Sequence, residues 1–395
     1  MYPQLLIGLL VLGGARGLRQ TRALLEDDLY QEDSNLEVSQ VPTSRKIPKG
    51  GQNSDAETDC PIEFDRKCTC TWENSRLYPN LHETRNLVVN CSNAGITNAS
   101  FLEFLPTKTA KLIFTGNNVP VLEPNLFGKR DYPYLAYIDL SNNHIKEIKG
   151  KAFHHVSTVT VLRLNDNEIS NESIHDHIRV FSNFFNLRAL FLNDAFNDEI
   201  WSLSDLGGIF EESNLTRLEK LHLESNEIGI IRDPKLFCDL ISLRELYLRN
   251  NHLPDLNIDV DCLPNLSYID LANNYIRKIP PHYALFGLLN RVNSKGEDLR
   301  LDLSKNPFHC DCELQPFIDW VRNTTYHSPD RIHHREKLLC ESGLPESNTG
   351  LLIEKLLHEV FSPYCKLQFM GSSTLPLTSR KSKQKLPTFD MQAPI

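Results

Sequence analysis

Between residues 218 and 276 the chain writes one pattern three times. Leu218, Leu221, Leu223, Asn226 and Ile228 are followed 25 residues on by Leu243, Leu246, Leu248, Asn251 and Leu253, and 23 residues after that by Leu266, Ile269, Leu271, Asn274 and Ile276. Leu221 and Leu223 stand two apart, so in an extended chain both point to one side. Each copy therefore offers a short strand with one apolar edge, and a single copy cannot bury that edge. Parallel stacking of neighbours buries the edges in a continuous core and bends the chain into a curved solenoid. The Asn that ends each strand can bond backbone of the adjacent coil, where plain turns leave polar groups unpaired inside.

The pattern is the leucine-rich-repeat signature at its usual period, and it runs well beyond this stretch. Leu112, Phe114, Asn117 and Val119 make the first full repeat. Leu135, Ile138, Leu140, Asn143 and Ile145 make the second, and Val159, Leu162, Leu164, Asn167 and Ile169 the third. Leu187, Leu190 and Leu192 begin a fourth, but Ala195 stands where Asn is expected, and a polar insertion runs through Asp194, Asn197, Asp198, Glu199 and Trp201 before Leu218 restores the register. Leu301, Leu303 and Asn306 form the last strand. The expected fold is an α/β horseshoe: a leucine-rich-repeat solenoid over residues 93–306, with a parallel β-sheet on its concave face.

Both open ends of such an array need covers, and cysteines cluster there. Cys60, Cys68, Cys70 and Cys91 mark an N-terminal cap over residues 60–92; Cys310, Cys312, Cys340 and Cys365 mark a C-terminal cap over 307–365. In the second cap Phe317, Ile318, Trp320 and Val321 fall at helical spacing, and Leu351, Leu352, Leu356 and Leu357 suggest another short helix. Ten cysteines, an even number, read as disulfides formed in an oxidising compartment. A short apolar run over residues 5–12, followed by Ala15-Arg16-Gly17, reads as a signal peptide ending at residue 17, so secretion is expected. Residues 18–59 lack the apolar content to offset ordering entropy and read as a disordered spacer; Arg45-Lys46 within it offers a cleavage site. Residues 366–395 form a polar tail with Arg380, Lys381, Lys383 and Lys385, a weak candidate for heparan sulfate.

A net charge of −9 argues against a nucleic-acid partner. No phosphate loop, G-x-S-x-G or H-E-x-x-H occurs, so no enzyme, cofactor, metal or small-molecule substrate is expected. The pairs His154-His155 and His333-His334 point apart in any regular structure and make no ligand set alone. Sequons stand at Asn90, Asn98, Asn171, Asn214, Asn265 and Asn323; Asn90, with a cysteine in its middle position, is the poorest acceptor.

Cys238 and Cys262 sit at near-equivalent loop positions of adjacent repeats. Stacked strands are ~4.8 Å apart, within reach of a disulfide's Cα separation of ~5.5–6 Å, so a bridge is expected here.

The cap–repeat–cap plan over residues 60–365, with NPFHCDCELQPFIDWV opening the second cap, resembles the extracellular, cysteine-capped leucine-rich-repeat family. The broken central repeat and its restart, NLTRLEKLHLESN, resemble most the trophoblast-glycoprotein group of that family. The resemblance implies cap bridges Cys60–Cys70, Cys68–Cys91, Cys310–Cys340 and Cys312–Cys365, and a surface glycoprotein that dampens Wnt/β-catenin signalling. That group's transmembrane helix and cytoplasmic tail have no counterpart in this sequence, so the expectation is either a shed-like, secreted form or an incomplete gene model, with cell-surface association through a partner or a missing anchor left open.

The remaining question is where a partner sits. Residues flanking the central core position of each strand face the concave side. One column reads Asp139, Arg163, Phe191, His222, Tyr247, Asp270 and Asp302; the next reads Tyr137, Val161, Ala189, Lys220, Glu245, Tyr268 and Arg300. Nothing on such a face is expected to be buried, yet Phe191, Tyr247 and Tyr268 stand among charges, the composition of protein-binding hot spots. Strand propensity alone also favours Phe and Tyr. The insertion carrying Trp201 leaves the end of the Phe191 strand and can add a flap to the same surface. The expected site is therefore Tyr137, Asp139, Arg163, Phe191, His222, Tyr247, Tyr268, Asp270 and Trp201, holding an extracellular protein or receptor ectodomain. The competing reading is a structural matrix protein of the small leucine-rich proteoglycan type; Ser342-Gly343 is the only Ser-Gly dipeptide that could carry its chain.

Overall fold

The computed structural model describes residues 60–64, 66–74, 85–170, 173, 180–197, 210, 213–327 and 329–356. Strands β1 (Thr69–Asn74) and β2 (Arg85–Asn90) form an antiparallel pair in the N-terminal cap. Each repeat then adds one short parallel strand to β2: β3 (Thr109–Ile113), β5 (Tyr137–Asp139), β7 (Val161–Arg163), β8 (Ala189–Phe191), β9 (Lys220–His222), β10 (Glu245–Tyr247), β11 (Tyr268–Asp270) and β12 (Arg300–Asp302). On the far side of two early coils, β4 (Val121–Leu122) and β6 (Glu147–Ile148) pair in parallel. In the C-terminal cap β13 (Phe308–Cys310) pairs with β15 (Cys340–Gly343), while β14 (Ile332–His333) joins the edge of β12 and completes an eleven-stranded sheet. Among the described residues no helix is long and apolar enough to cross a membrane.

The core follows the repeat. The three leucine positions and the residue two beyond each Asn, as in Leu218, Leu221, Leu223 and Ile228, are fully buried. A second row of core residues lies opposite the sheet. Phe127, Phe153, Phe181, Phe184, Phe210 and Phe237 are all buried, with Phe153 and Phe184 centroids 5.1 Å apart. The Asn column is also buried and bonded on both sides. The Asn251 Oδ1 accepts from the Asn226 and Ile228 amides at 3.0 Å, and its Nδ2 donates to the Leu223 and Leu248 carbonyls at 2.9 and 3.0 Å. The residue before each Asn turns the chain out of its strand with positive φ. Asn142, Asp166, Ser225, Asn250 and Asn273 fill that position, and Asn and Asp tolerate the left-handed region better than most side chains.

Ala195 breaks the Asn column without leaving the neighbouring coil unpaired. The amides of Asn167 and Ile169, which an Asn would have bonded, donate instead to the Asp194 and Ala195 carbonyls at 3.1 and 3.0 Å. On its other side the Ala195 amide donates to Asn226 Oδ1 at 2.9 Å.

The caps seal the ends. Cys60 is bonded to Cys70, Cys68 to Cys91 and Cys310 to Cys340, and Cys238 is bonded to Cys262 with a Cα separation of 5.1 Å. Cys312 is also disulfide-bonded; its expected partner Cys365 lies outside the described residues, as do the tails 1–59 and 366–395. Helix α1 (Ala284–Leu288) fills the long interval before β12, and α2 (Gln315–His327) packs Phe317, Ile318 and Val321 against the last coil. The second cap helix expected around Leu351 and Leu356 is not formed among the described residues. The chain there makes short 3-10 turns over Glu346–Asn348 and Ile353–Lys355, and Leu352 bridges to Leu339. Pro345 and Gly350 interrupt helical hydrogen bonding.

Candidate functional site

Strand register decides which side chains share a face. In each three-residue strand the middle residue enters the core and its two neighbours point the other way. Pairing aligns Asp139, Arg163, Phe191, His222, Tyr247, Asp270 and Asp302 in one line, and Tyr137, Val161, Ala189, Lys220, Glu245, Tyr268 and Arg300 in the next. The register thus puts Tyr137, Asp139, Arg163, Phe191, His222, Tyr247, Tyr268 and Asp270 on one surface. It also extends the first line by one residue that sequence reasoning missed, His333 of the C-terminal cap, opposite Asp302. No repeat signal marks His333; only the docking of β14 puts it there. Trp201 lies outside the described residues, and so does the insertion beyond Asn197.

The expectation that nothing on this face is buried is wrong. Phe191, His222, Asp270 and Asp302 are each less than 5% exposed, and Val161 and Ala189 are buried as well. Neighbouring strands stand ~4.8 Å apart, so side chains in one line stack face to face and cover one another. The Arg163 guanidinium lies 4.0 Å from the Phe191 ring centre, Phe191 stacks on His222 at 4.2 Å, and His222 stacks on Tyr247 at 4.1 Å with planes 6° apart. The line then shifts column: Tyr247 meets Tyr268 edge-on at 5.5 Å, and Tyr268 meets His333 edge-on at 5.2 Å. Arg300 approaches the other side of Tyr268 at 5.7 Å. At the opposite end Lys111 lies 4.6 Å over Tyr137, whose hydroxyl donates to Asp139 at 3.2 Å. The partly exposed members are Tyr137, Asp139, Arg163, Tyr247, Tyr268, Arg300 and His333.

Beside the ring line runs a charge cluster. Arg249 donates from Nε to Asp270 at 2.9 Å and from Nη2 to Asp302 at 3.0 Å; His334 Nδ1 meets Asp302 at 2.8 Å. Arg249 and His334 are further members that the sequence did not single out. Burial, helped by the Asp302 charge, raises the Asp270 pKa to about 6 against the pull of Arg249. Burial acts on Asp302 too, but bonds from Ser304 and His334 and the charge of Arg249 outweigh it and hold that carboxyl below its usual range. Burial and the adjacent Asp139 and Asp270 charges push the Tyr137 and Tyr268 hydroxyls up, keeping them neutral donors. Burial and Arg300 lower His333.

Elsewhere the surface carries little chemistry. Among the described residues one grouping has metal-ligand composition, Cys238, Asp259 and Cys262, but both sulfurs are joined in a disulfide. Of the sequons, Asn98, Asn214 and Asn323 are exposed, Asn265 is half-buried with its amide donated to the Ile241 carbonyl at 2.9 Å, and Asn171 lies outside the described residues. Asn90 sits in β2 and accepts from the Ser92 amide at 2.9 Å. Ser342 lies in β15, hydrogen-bonded to His309 at 2.7 Å.

Comparison with known proteins agrees with this architecture. A model of leucine-rich repeats (two copies) matches residues 241–284. Mouse podocan is 26% identical over 292 residues, 65% of this chain and 44% of podocan. Trophoblast glycoprotein of Macaca fascicularis is 26% identical over 265 residues, 64% of this chain and 59% of its own length. Mouse lumican is 31% identical over 150 residues, 38% of this chain and 40% of lumican. The chain thus spans about half the length of the curated relatives it matches. The crystal structure of human trophoblast glycoprotein, also named Wnt-activated inhibitory factor 1, superposes with a TM-score of 0.57 at 25% identity, covering 69% of this chain and 93% of that one.

Proposed function

Taking the chain as a cysteine-capped leucine-rich-repeat protein of the extracellular kind, we propose that it is a secreted, non-enzymatic glycoprotein that holds a protein ligand or receptor ectodomain on its concave face. One observation carries this reading. The ring line ends, at the C-terminal third of the face, in half-exposed Tyr247, Tyr268, Arg300 and His333. Rigid aromatic rings with an arginine beside them lose little entropy on contact and supply most of the energy in protein interfaces. Burial keeps the Tyr268 hydroxyl a protonated donor, the Tyr247 hydroxyl is already donated to Glu245 at 2.7 Å, and Asp139 at the other end supplies an acceptor.

The relative named Wnt-activated inhibitory factor 1 favours a partner in Wnt/β-catenin signalling, with this chain lowering the signal. The matrix-protein reading, supported by likeness to podocan and lumican, stands second because Ser342 lies within a cap strand and is already hydrogen-bonded.

The test is capture of extracellular proteins by the secreted chain, followed by a β-catenin reporter assay. Tyr268→Ala with Arg300→Ala is expected to weaken capture by about 2 kcal/mol, roughly thirtyfold, with secretion unchanged. A double variant that captures and signals like the wild type overturns the concave-face assignment.

A further inference from the structure

Burial sorts the charges of the concave face by sign. Glu224, Asp270 and Asp302 are each less than 5% exposed, and His222 and Arg249 hold them from within the face. Glu219 and Glu245 lie nearer the surface but are paired, with Arg188 at 2.6 Å and Lys220 at 2.9 Å. Asp139 takes the Tyr137 hydroxyl at 3.2 Å and the Ser141 amide at 3.0 Å. Every acid of the face is thus committed to a neighbour.

The cations are not. Lys111, Arg163 and Arg300 are partly exposed and make no ion pair among the described residues; each lies against a ring instead. The Arg163 Nε is buried and has no acceptor among those residues. The Tyr268 hydroxyl has no hydrogen-bond partner there either, and burial beside Asp270 and Asp302 keeps its proton on. What the face still offers is therefore donors and positive charge, in a chain whose net charge is −9. A carboxylate answers both: it accepts from the guanidinium fork at two oxygens and brings no donor of its own. Because the rings already hold the cations in place, little ordering entropy remains to be lost when it binds.

We propose that the segment bound on this face is an acidic peptide of the partner protein, with one carboxylate set between Lys111 and Arg163 and another between Arg300 and the Tyr268 hydroxyl. The inference rests on the concave face being the binding surface, and it names the chemistry of the protein bound there. Lys111 and Arg163 stand two strands apart, on either side of Tyr137. From Arg163 on β7 to Arg300 on β12 is five strand spacings, or ~24 Å, which an extended chain crosses in about seven residues. Between the two ends the charges near the surface come as pairs, Arg188–Glu219 and Lys220–Glu245, beside half-buried Tyr247. A uniformly charged polysulfate would lay anions over Glu219 and Glu245. A peptide with acids at two separate places, and neutral residues between them, avoids both.

The test uses random peptides of about twelve residues, long enough to meet both ends, displayed on phage and selected against the full secreted chain. Recovered peptides are expected to carry about threefold more Asp and Glu than Lys and Arg. A synthetic copy of a recovered peptide should bind about tenfold more weakly to Lys111→Met or Arg300→Met, which keep the apolar stems, and weaken likewise when its own acids become amides. Replacing Arg380, Lys381, Lys383 and Lys385 by Gln should leave its affinity unchanged. No acidic excess, no recovered peptide, binders indifferent to Lys111→Met and Arg300→Met, or binding lost with the basic tail each overturn the proposal. So does a heparan sulfate chain that both variants weaken while no acidic peptide binds; the face then takes a polysulfate. Neutral or basic peptides lost with Tyr247→Ala and Tyr268→Ala refute this inference and leave the concave face as the binding surface, whereas peptides that no face variant affects refute both.

Discussion

Arg249 is the residue whose loss tests the electrostatics of the concave face most sharply. It donates to two buried carboxylates on adjacent strands, Asp270 and Asp302. Arg249→Met keeps the apolar stem and removes the charge. At pH 7.5 the two buried acids are then left with no arginine between them, so either both stay charged or Asp270, freed of the pull of Arg249, must take up a proton; the His334 contact to Asp302 remains. Breaking a buried pair from one side costs about 3–5 kcal/mol, so about 4 kcal/mol is expected. The cost should shrink with acid. Asp270 has its folded pKa raised from 3.8 to about 6, so between those values the native state binds more protons than the unfolded one and stability falls as pH rises. At pH 5 Asp270 is therefore mostly neutral in the folded protein, and the variant loses chiefly its charge-assisted bond to Asp302, about 2 kcal/mol. Asp302 shifts the other way; its contribution is present above pH 3.8 and is lost only below that. Denaturant unfolding at pH 7.5 and pH 5, with disulfides intact, gives both numbers. Asp270→Asn serves as control: it should be neutral or stabilising at pH 7.5 and flatten the slope between pH 4 and 6. An Arg249→Met loss that is equal at both pH values, or larger at pH 5, refutes the reasoning.

Three further outcomes are expected. Asn251→Ala orphans the Asn226 and Ile228 amides and the Leu223 carbonyl inside the array, while the Leu248 carbonyl keeps Asn274 Nδ2 at 2.9 Å, and should cost about 3–5 kcal/mol; chemical denaturation checks it, and a loss under 1 kcal/mol counts against the Asn column as a buried tie. Phe191→Ala should cost about 3–5 kcal/mol of stability, as for any buried Phe, whereas Tyr268→Ala at the half-exposed end should cost clearly less; thermal melts of the two, side by side, decide between packing and surface roles. Replacing Cys238 and Cys262 together by Ala opens a loop of 24 residues and should cost about 3 kcal/mol, seen as a lower denaturation midpoint with an unchanged far-UV spectrum.

The sheet and its register were legible because the repeat is a physical requirement rewritten in every coil. A leucine two positions from the next, an Asn three beyond, and a turn residue before it recur from Leu135 to Asn306. The phenylalanine row was written as plainly, in LFGK, AFHH, VFSN and LFCD, but without the leucine frame its period drifts with loop length. Two things were not legible. Burial on the concave face depends on what stands one strand away: Phe191 is covered because Arg163 and His222, some 30 residues off in either direction, stack on it. The cap strand β14 has no repeat leucine at all, and His333 and His334 reach the face only because Ile332 packs beside Leu301. Local patterns specify which face a side chain takes, not how crowded that face is.

This crowding separates two tasks along one line of side chains. In the middle, Phe191 and His222 are covered on both ring faces, so changing either alters packing before it alters any contact with a partner. Toward the C-terminal end the stacking turns edge-on at Tyr268, and rings there leave surface open. The same end is tied to the cap through the His334–Asp302 contact and the His333–Tyr268 pair. Cap and repeats therefore fix the geometry of the exposed rings jointly, and loosening the cap should misplace them.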